Sequence, residues 1–198
     1  MKRRMLTVTL AAIFVSMSAG FIYGPEFGPA ASASATFADD CDDLCQEELS
    51  AARAATARYY QEGRALEDGF VGEPLCVQRP DVGGMGIHYE NMARMGDTSV
   101  DPAAPELLLY EPQPGGRRRL VGLEYFAPVV VNGSPWFGPG PPPAGQYNAA
   151  PVLFGHVFNG PMPGHNPNMP WHYDLHVWAW RHNPAGLFAQ FNPKVSCQ

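Results

Sequence analysis

The sequence predicts an α+β fold, with one N-terminal helix packed on a small, mostly antiparallel sheet and a long ordered loop rich in Pro and Gly. Apolar residues make up 45% of the 198 positions, which is enough to build a buried core. Gly and Pro number 21 each, more than a bundle of long helices tolerates. Helical periodicity is confined to one stretch near the N-terminus, and strand patterns follow it.

Residues 1–35 have the organisation of a cleaved signal peptide. A basic start from Lys2 to Arg4 precedes an apolar, uncharged run and a track of small residues that ends at Ala35. An uncleaved anchor is the alternative, because the apolar run is nearly long enough to cross a bilayer. The sequence therefore predicts an exported protein, secreted or periplasmic, with one globular domain over 36–198 and no membrane span in that domain.

The predicted mature chain is acidic. Without residues 1–35 it carries 10 basic and 18 acidic side chains, a net charge of −8. Such a surface repels phosphate backbones, so nucleic acid is excluded as a partner. The one basic run, Arg117 to Arg119, follows a Pro-Gly-Gly turn and is typical of a solvated hairpin tip.

Four cysteines follow the predicted signal peptide, namely Cys41, Cys45, Cys76 and Cys197. An even number in an exported chain indicates two disulfides, for which three pairings are open. A four-cysteine zinc site is the competing interpretation. Its spacing would be poor, because two of the cysteines stand alone.

Residues 46–70 form the strong helix candidate. Gly69 and Gly72 are predicted to end the helix, and acidic residues near its start suit the helix dipole. Apolar residues recur there at helical spacing: Leu49, Ala52, Ala55, Tyr59, Leu66 and Phe70.

Strand patterns begin after Cys76. Residues 106–111 and 119–126 form a predicted hairpin around a Pro/Gly turn. Residues 132–170 hold too much Pro and Gly for regular structure but carry five aromatic residues, which indicates an ordered loop packed on the sheet. Residues 171–181 give the strongest strand pattern in the chain.

Alternation along this last strand places ionisable side chains on one face. His172, Asp174 and His176 share that face with Trp178 and Trp180. The two histidines lie about 13 Å apart along a strand, too far for one metal, whereas neighbours at i and i+2 lie about 7 Å apart. Asp174 with either histidine is therefore the favoured ligand pair.

Two further residues complete a candidate metal site. His88 follows a Gly-rich turn, and Glu124 lies between apolar neighbours that point to the core. Imidazole with carboxylate suits zinc, iron, copper or manganese. The competing interpretation is that these histidines only form hydrogen bonds within the fold. The predicted ligands are His88, Glu124, His172, Asp174 and His176.

Several segments resemble a group of uncharacterised exported bacterial proteins. They include GMGIHY at 84–89, HYDLHVW at 172–178 and NPAGLF at 183–188. The resemblance covers most of the chain after the predicted signal peptide. It implies export and a single domain, and it implies no chemistry.

Two functions follow from these observations. The first is a metal-binding protein, extending to a metal-dependent enzyme acting on a small molecule, in which a carboxylate or Tyr89 would move a proton. The alternative is a non-catalytic or structural module whose Trp/Tyr-rich face contacts an envelope or extracellular component.

Overall fold

The computed structural model describes residues 41–96 and 98–198, in which a helical region packs on a six-stranded antiparallel sheet. The predicted signal peptide and its cleavage site lie outside the described residues. The helices are α1 (Asp43–Thr56) and α2 (Glu62–Glu67), joined by a 3₁₀ turn (Ala57–Tyr60). The strands are β1 (Val71–Arg79), β2 (Gly83–Glu90), β3 (Leu107–Pro112), β4 (Arg118–Pro128), β5 (Val130–Val131), β6 (Ser134–Pro135), β7 (Val152–Leu153), β8 (His156–Val157), β9 (Asn159–Met162) and β10 (His172–Val177).

The main sheet has the strand order β1-β2-β3-β4-β10-β9. The predicted α+β class, with an N-terminal helical region and a mostly antiparallel sheet, is confirmed. Residues 132–170 contain the short strands β6 to β9, where the sequence pattern predicted only a loop. That the rest of this segment is an ordered loop packed on the sheet stays a prediction.

The helical region is broken where the pattern predicted one continuous helix. Asp42 caps α1 by accepting a hydrogen bond from Cys45 N at 2.9 Å. Gln61 has extended backbone angles and separates the 3₁₀ turn from α2. Because this break shifts the helical phase, Ala65 is buried while Leu66, predicted on the apolar stripe, is 52% exposed. Gly69 ends the region with φ +87, as predicted, whereas Gly72 already lies in β1.

The helices cover one face of the sheet. Tyr110 Oη donates to the carbonyl oxygen of Tyr59 at 2.6 Å, and Tyr89 Oη donates to the Glu62 carboxylate. These bonds satisfy the phenol groups within an otherwise apolar layer. The buried strand residues of this face include Ile87, Leu108, Leu123, Tyr125, Tyr173, Leu175 and Val177.

The opposite face carries polar and charged side chains on β2, β4 and β10. It also has a small apolar cluster, in which Met95 and Met169 from two loops pack with Leu107 and Phe126 from the sheet. The strand β10 ends at Val177, so Trp178 and Trp180 do not continue its alternation. The predicted strand over 171–181 is therefore too long by four residues at its C-terminal end.

Two disulfides select one of the three pairings that the sequence left open. Cys41 bonds to Cys45 at the start of α1, and Cys76 bonds to Cys197 across 121 positions. No free cysteine is found among the described residues. Cys76 lies within β1, not before the sheet as expected. These two bonds point to an oxidising compartment, and no helix within the described ranges is long and apolar enough to cross a membrane.

The two disulfides should differ in their contribution to stability. In the chain-entropy model the Cys76–Cys197 loop stabilises the fold by about 5 kcal/mol and the Cys41–Cys45 loop by about 2 kcal/mol. Replacing Cys76 and Cys197 by Ser should therefore lower the urea midpoint more than replacing Cys41 and Cys45. Equal losses in the two double variants would contradict this account.

Candidate metal centre

Strand register brings three of the five predicted ligands together. His176 on β10 stands directly opposite Glu124 on β4, and opposite residues in an antiparallel pair share a face. His88 on β2 stands opposite Leu109 on β3, which in turn stands opposite Gly122 on β4. A side chain at Gly122 would press on Leu109 and the Trp178 ring. His88 and Glu124 therefore meet from strands that are separated by β3.

The three side chains form a tight, buried cluster. His88 Nε2 lies 3.2 Å from Glu124 Oε2, and His176 Nε2 lies 3.6 Å from the same oxygen. One donor atom from each residue lies within 4.8 Å of the other two. Glu124 is 3% exposed and His176 is 1% exposed, so water does not solvate their charges.

A backbone irregularity orients β2 toward this cluster. Gly86 has φ +97, and a Cβ there would approach the Tyr110 carbonyl oxygen to 2.5 Å. Only glycine fits this position without strain. The irregularity breaks the two-residue alternation, and Met85 and His88 line the same cavity although they are three residues apart.

Hydrogen bonding leaves the cluster incompletely satisfied. Neither ring nitrogen of His176 has a hydrogen-bond partner in the part of the chain that the structure describes, and the same is true of His88 Nδ1. The approach of His88 to Glu124 Oε2 is an ion-pair contact whose geometry is not that of a hydrogen bond. Buried polar atoms of this kind call for a further partner, such as a water molecule or a metal ion.

The surroundings shift the pKa values of the three residues in different directions. Burial alone would raise the pKa of Glu124, but His176 and His88 beside it lower that pKa to about 2. Burial also disfavours the charged form of His88, yet the adjacent Glu124 raises the net pKa of His88. For His176, burial dominates and lowers the pKa. Without a metal, Glu124 is therefore a carboxylate beside two imidazoles, of which His88 holds a proton more readily than His176.

The other two predicted ligands share this face but are not among the three converging donors. The His172 ring stacks on Phe126 with centroids 4.7 Å apart, and its Nδ1 lies 3.1 Å from the Pro170 carbonyl oxygen. Asp174 accepts a hydrogen bond from Asn159 Nδ2 at 3.4 Å. Asp174 Oδ2 is 3.9 Å from His176 Nδ1, the nitrogen that points away from Glu124.

Sequence reasoning missed a pair of carboxyl groups beside His88. Glu90 lies beside Glu73, and burial together with this second acid raises the pKa of Glu90 to about 7. Glu90 follows His88 by two positions, so the alternation could have revealed it. Tyr89 lies on the helix-covered face and bonds Glu62, so the expectation that it moves a proton at this site is wrong.

The predicted Trp/Tyr-rich face is not one exposed surface. Trp178 is 1% exposed and donates from Nε1 to the Ala189 carbonyl oxygen. Trp180 packs edge-on against Tyr60 and donates from Nε1 to Thr56 Oγ1. These two tryptophans support the packing of the domain, and the alternative function, a binding or structural module, stays a prediction.

No family model matches the sequence, and no curated protein or solved structure matches it.

Asp174 gives a pH-dependent prediction for the metal-free protein. Burial, with Glu124 nearby, raises its pKa from 3.8 to about 7. Between these two pH values Asp174 loses its proton in the unfolded chain but keeps it in the folded protein, so the contribution of Asp174 to stability falls as pH rises. Asp174→Asn should therefore raise the thermal midpoint, measured with a chelator present, at pH 7 and leave it nearly unchanged at pH 4.

The exposed Asp81 provides the matched control for this measurement. Asp81→Asn should shift the midpoint by the same small amount at both pH values. If the gain from Asp174→Asn were also independent of pH, the carboxyl group would not titrate as described.

Proposed function

We propose that the protein binds one divalent transition-metal ion in an exported, oxidising compartment, through His88, Glu124 and His176. The observation that carries this proposal is the convergence of three buried donor groups from three strands, within 4.8 Å of one another. Such groups are costly to bury unless they are paired or ligate an ion.

The distances fit a metal without rearrangement of the sheet. Metal–nitrogen and metal–oxygen bonds of about 2.0–2.2 Å place tetrahedral ligand atoms about 3.3 Å apart. The separations of 3.2 and 3.6 Å from Glu124 Oε2 to the two histidines are close to that edge length. Small side-chain rotations are enough to complete the site.

The donor set also constrains the chemistry. Two imidazoles and one carboxylate are used for zinc in hydrolytic enzymes and for non-haem iron, and the set also accepts copper and manganese. Three protein ligands leave a position for water or a small molecule. This supports the finer proposal of a metal-dependent enzyme that acts on a small molecule, in which the ion would polarise substrate or activate water.

Asp174 is suited to a supporting role beside His176. If His176 uses Nε2 toward the ion, its Nδ1–H points to Asp174, 3.9 Å away. A carboxylate that accepts a hydrogen bond from this N–H fixes the tautomer and orientation of a metal-bound histidine. Asn159, which bonds Asp174, would in turn hold the carboxylate in place.

The setting is consistent with export. Two disulfides need an oxidising compartment. The resemblance of several segments to exported bacterial proteins supports the same location.

Metal analysis tests the proposal directly. The purified protein, equilibrated with a small excess of zinc and desalted, should retain about one ion per chain. His176→Ala should lose this ion and keep its disulfides and circular dichroism spectrum. His182→Ala, at an exposed position, is the matched control and should retain it. Full occupancy in His176→Ala would overturn the assignment.

A second measurement separates Asp174 from the ligands. Asp174→Asn should bind the ion about 10–100-fold more weakly while keeping a stoichiometry of one, because the outer carboxylate orients His176 without touching the metal. Competition with a chromogenic chelator at pH 7 gives the affinity. Wild-type affinity in this variant would show that Asp174 does not position His176.

A further inference from the structure

A large cavity adjoins the proposed metal centre. Its volume is about 590 Å³, within the range of pockets that hold small organic ligands. His88 belongs both to the cavity wall and to the metal cluster, whereas Glu124 and His176 are not part of the wall. His88 therefore stands between the cavity and the ion site.

One part of the cavity wall is apolar and open to solvent. Leu75, Val77 and Met85 contribute to it, and Leu75 is 71% exposed. A ligand with an apolar body would cover this surface and remove it from water.

The charged part of the wall is acidic. Glu73 lines the cavity, and no Lys or Arg is among the described residues of the lining. The remaining ionisable groups of the lining are His88 and His165. An acidic site with low-dielectric walls concentrates cations and repels anions.

We infer that this cavity binds a small organic cation, in which a protonated amine contacts Glu73 and an apolar body lies along Leu75 and Met85. The inference rests on the proposed function in one respect, since it names the substrate class of the site that His88 shares with the metal. The cavity and the Glu73 carboxylate are present without an ion, so binding of the amine can be measured separately.

The test compares two probes with the same ring and different charge, 2-phenylethylamine and 3-phenylpropionate. Calorimetry at pH 7 on the purified protein should show binding of the amine, and binding of the carboxylate at least about 10-fold weaker. Both titrations are run with chelator and again with zinc. Equal affinity for the two probes, or no binding of the amine, would overturn the inference.

Two variants locate the binding site. Glu73→Gln removes the charge and should lower the affinity for the amine at least about five-fold. Met85→Trp fills the cavity and should abolish binding of the amine. Glu67→Gln is the control, because Glu67 is exposed and lies outside the cavity. Unchanged amine affinity in both cavity variants would place the ligand elsewhere.

The outcome also separates this inference from the metal proposal. Loss of amine binding in Glu73→Gln, with one ion still retained, supports both the cavity assignment and the metal proposal. Amine binding that persists in His176→Ala, which lacks the ion, supports the cavity assignment even if the metal proposal fails. Retention of the ion with no amine binding overturns only the cavity assignment.

Discussion

The placement of Glu124 opposite His176, inside the sheet, is the interaction on which the arrangement of this face depends. A carboxylate that is 3% exposed is stable only beside compensating groups, and the two histidines supply them from β10 and β2. The register between β4 and β10 places His176 opposite Glu124, and the irregularity at Gly86 brings His88 within reach of them. Loop residues such as Met169 then exclude solvent from this side.

The two faces of the sheet differ in composition: one is an apolar layer and the other is polar. The helix-covered face is an apolar layer in which tyrosine hydroxyl groups find partners on the helical region, as Tyr110 does at the Tyr59 carbonyl. This layer holds β2, β3 and β4 in a fixed order. Because side chains alternate between faces, the same strands present His88 and Glu124 on the other side at defined positions. The apolar layer supplies the rigidity that fixes the positions of the polar side chains on the other face.

Much of this arrangement could be predicted from local patterns. Alternation within β10 separates the ionisable residues from Leu175 and Val177, and apolar neighbours single out Glu124. The ligand pairing could not be predicted, because it depends on which strands are neighbours and in what register. Side chains directly opposite on paired strands lie about 5 Å apart, closer than i and i+2 on one strand. Glu124 therefore joins His176 in the three-residue cluster, while Asp174 approaches the other ring nitrogen of His176.

The helical region and β1 were predicted less well for a related reason. The break at Gln61 has no proline beside it, and the nearest glycine, Gly63, lies inside α2. Tyr89 lies against Gly72, where a Cβ would meet the phenol ring at 2.8 Å, so the chain is already a strand at a position predicted to end the helix. Glu73 and its contact with Glu90 follow from that strand, which explains why this acidic pair was missed.

The Cys76–Cys197 bond has a consequence for resistance to proteolysis. It closes most of the chain into one covalent ring, and this ring contains the Pro- and Gly-rich segment over 132–170. A protease that cuts this segment once opens the ring without releasing a fragment. The strands on either side of the cut, β4 and β10, remain tethered through the bond as well as through the sheet. A nicked molecule can therefore keep its buried face assembled, and it runs as a single species until a reductant separates its two pieces.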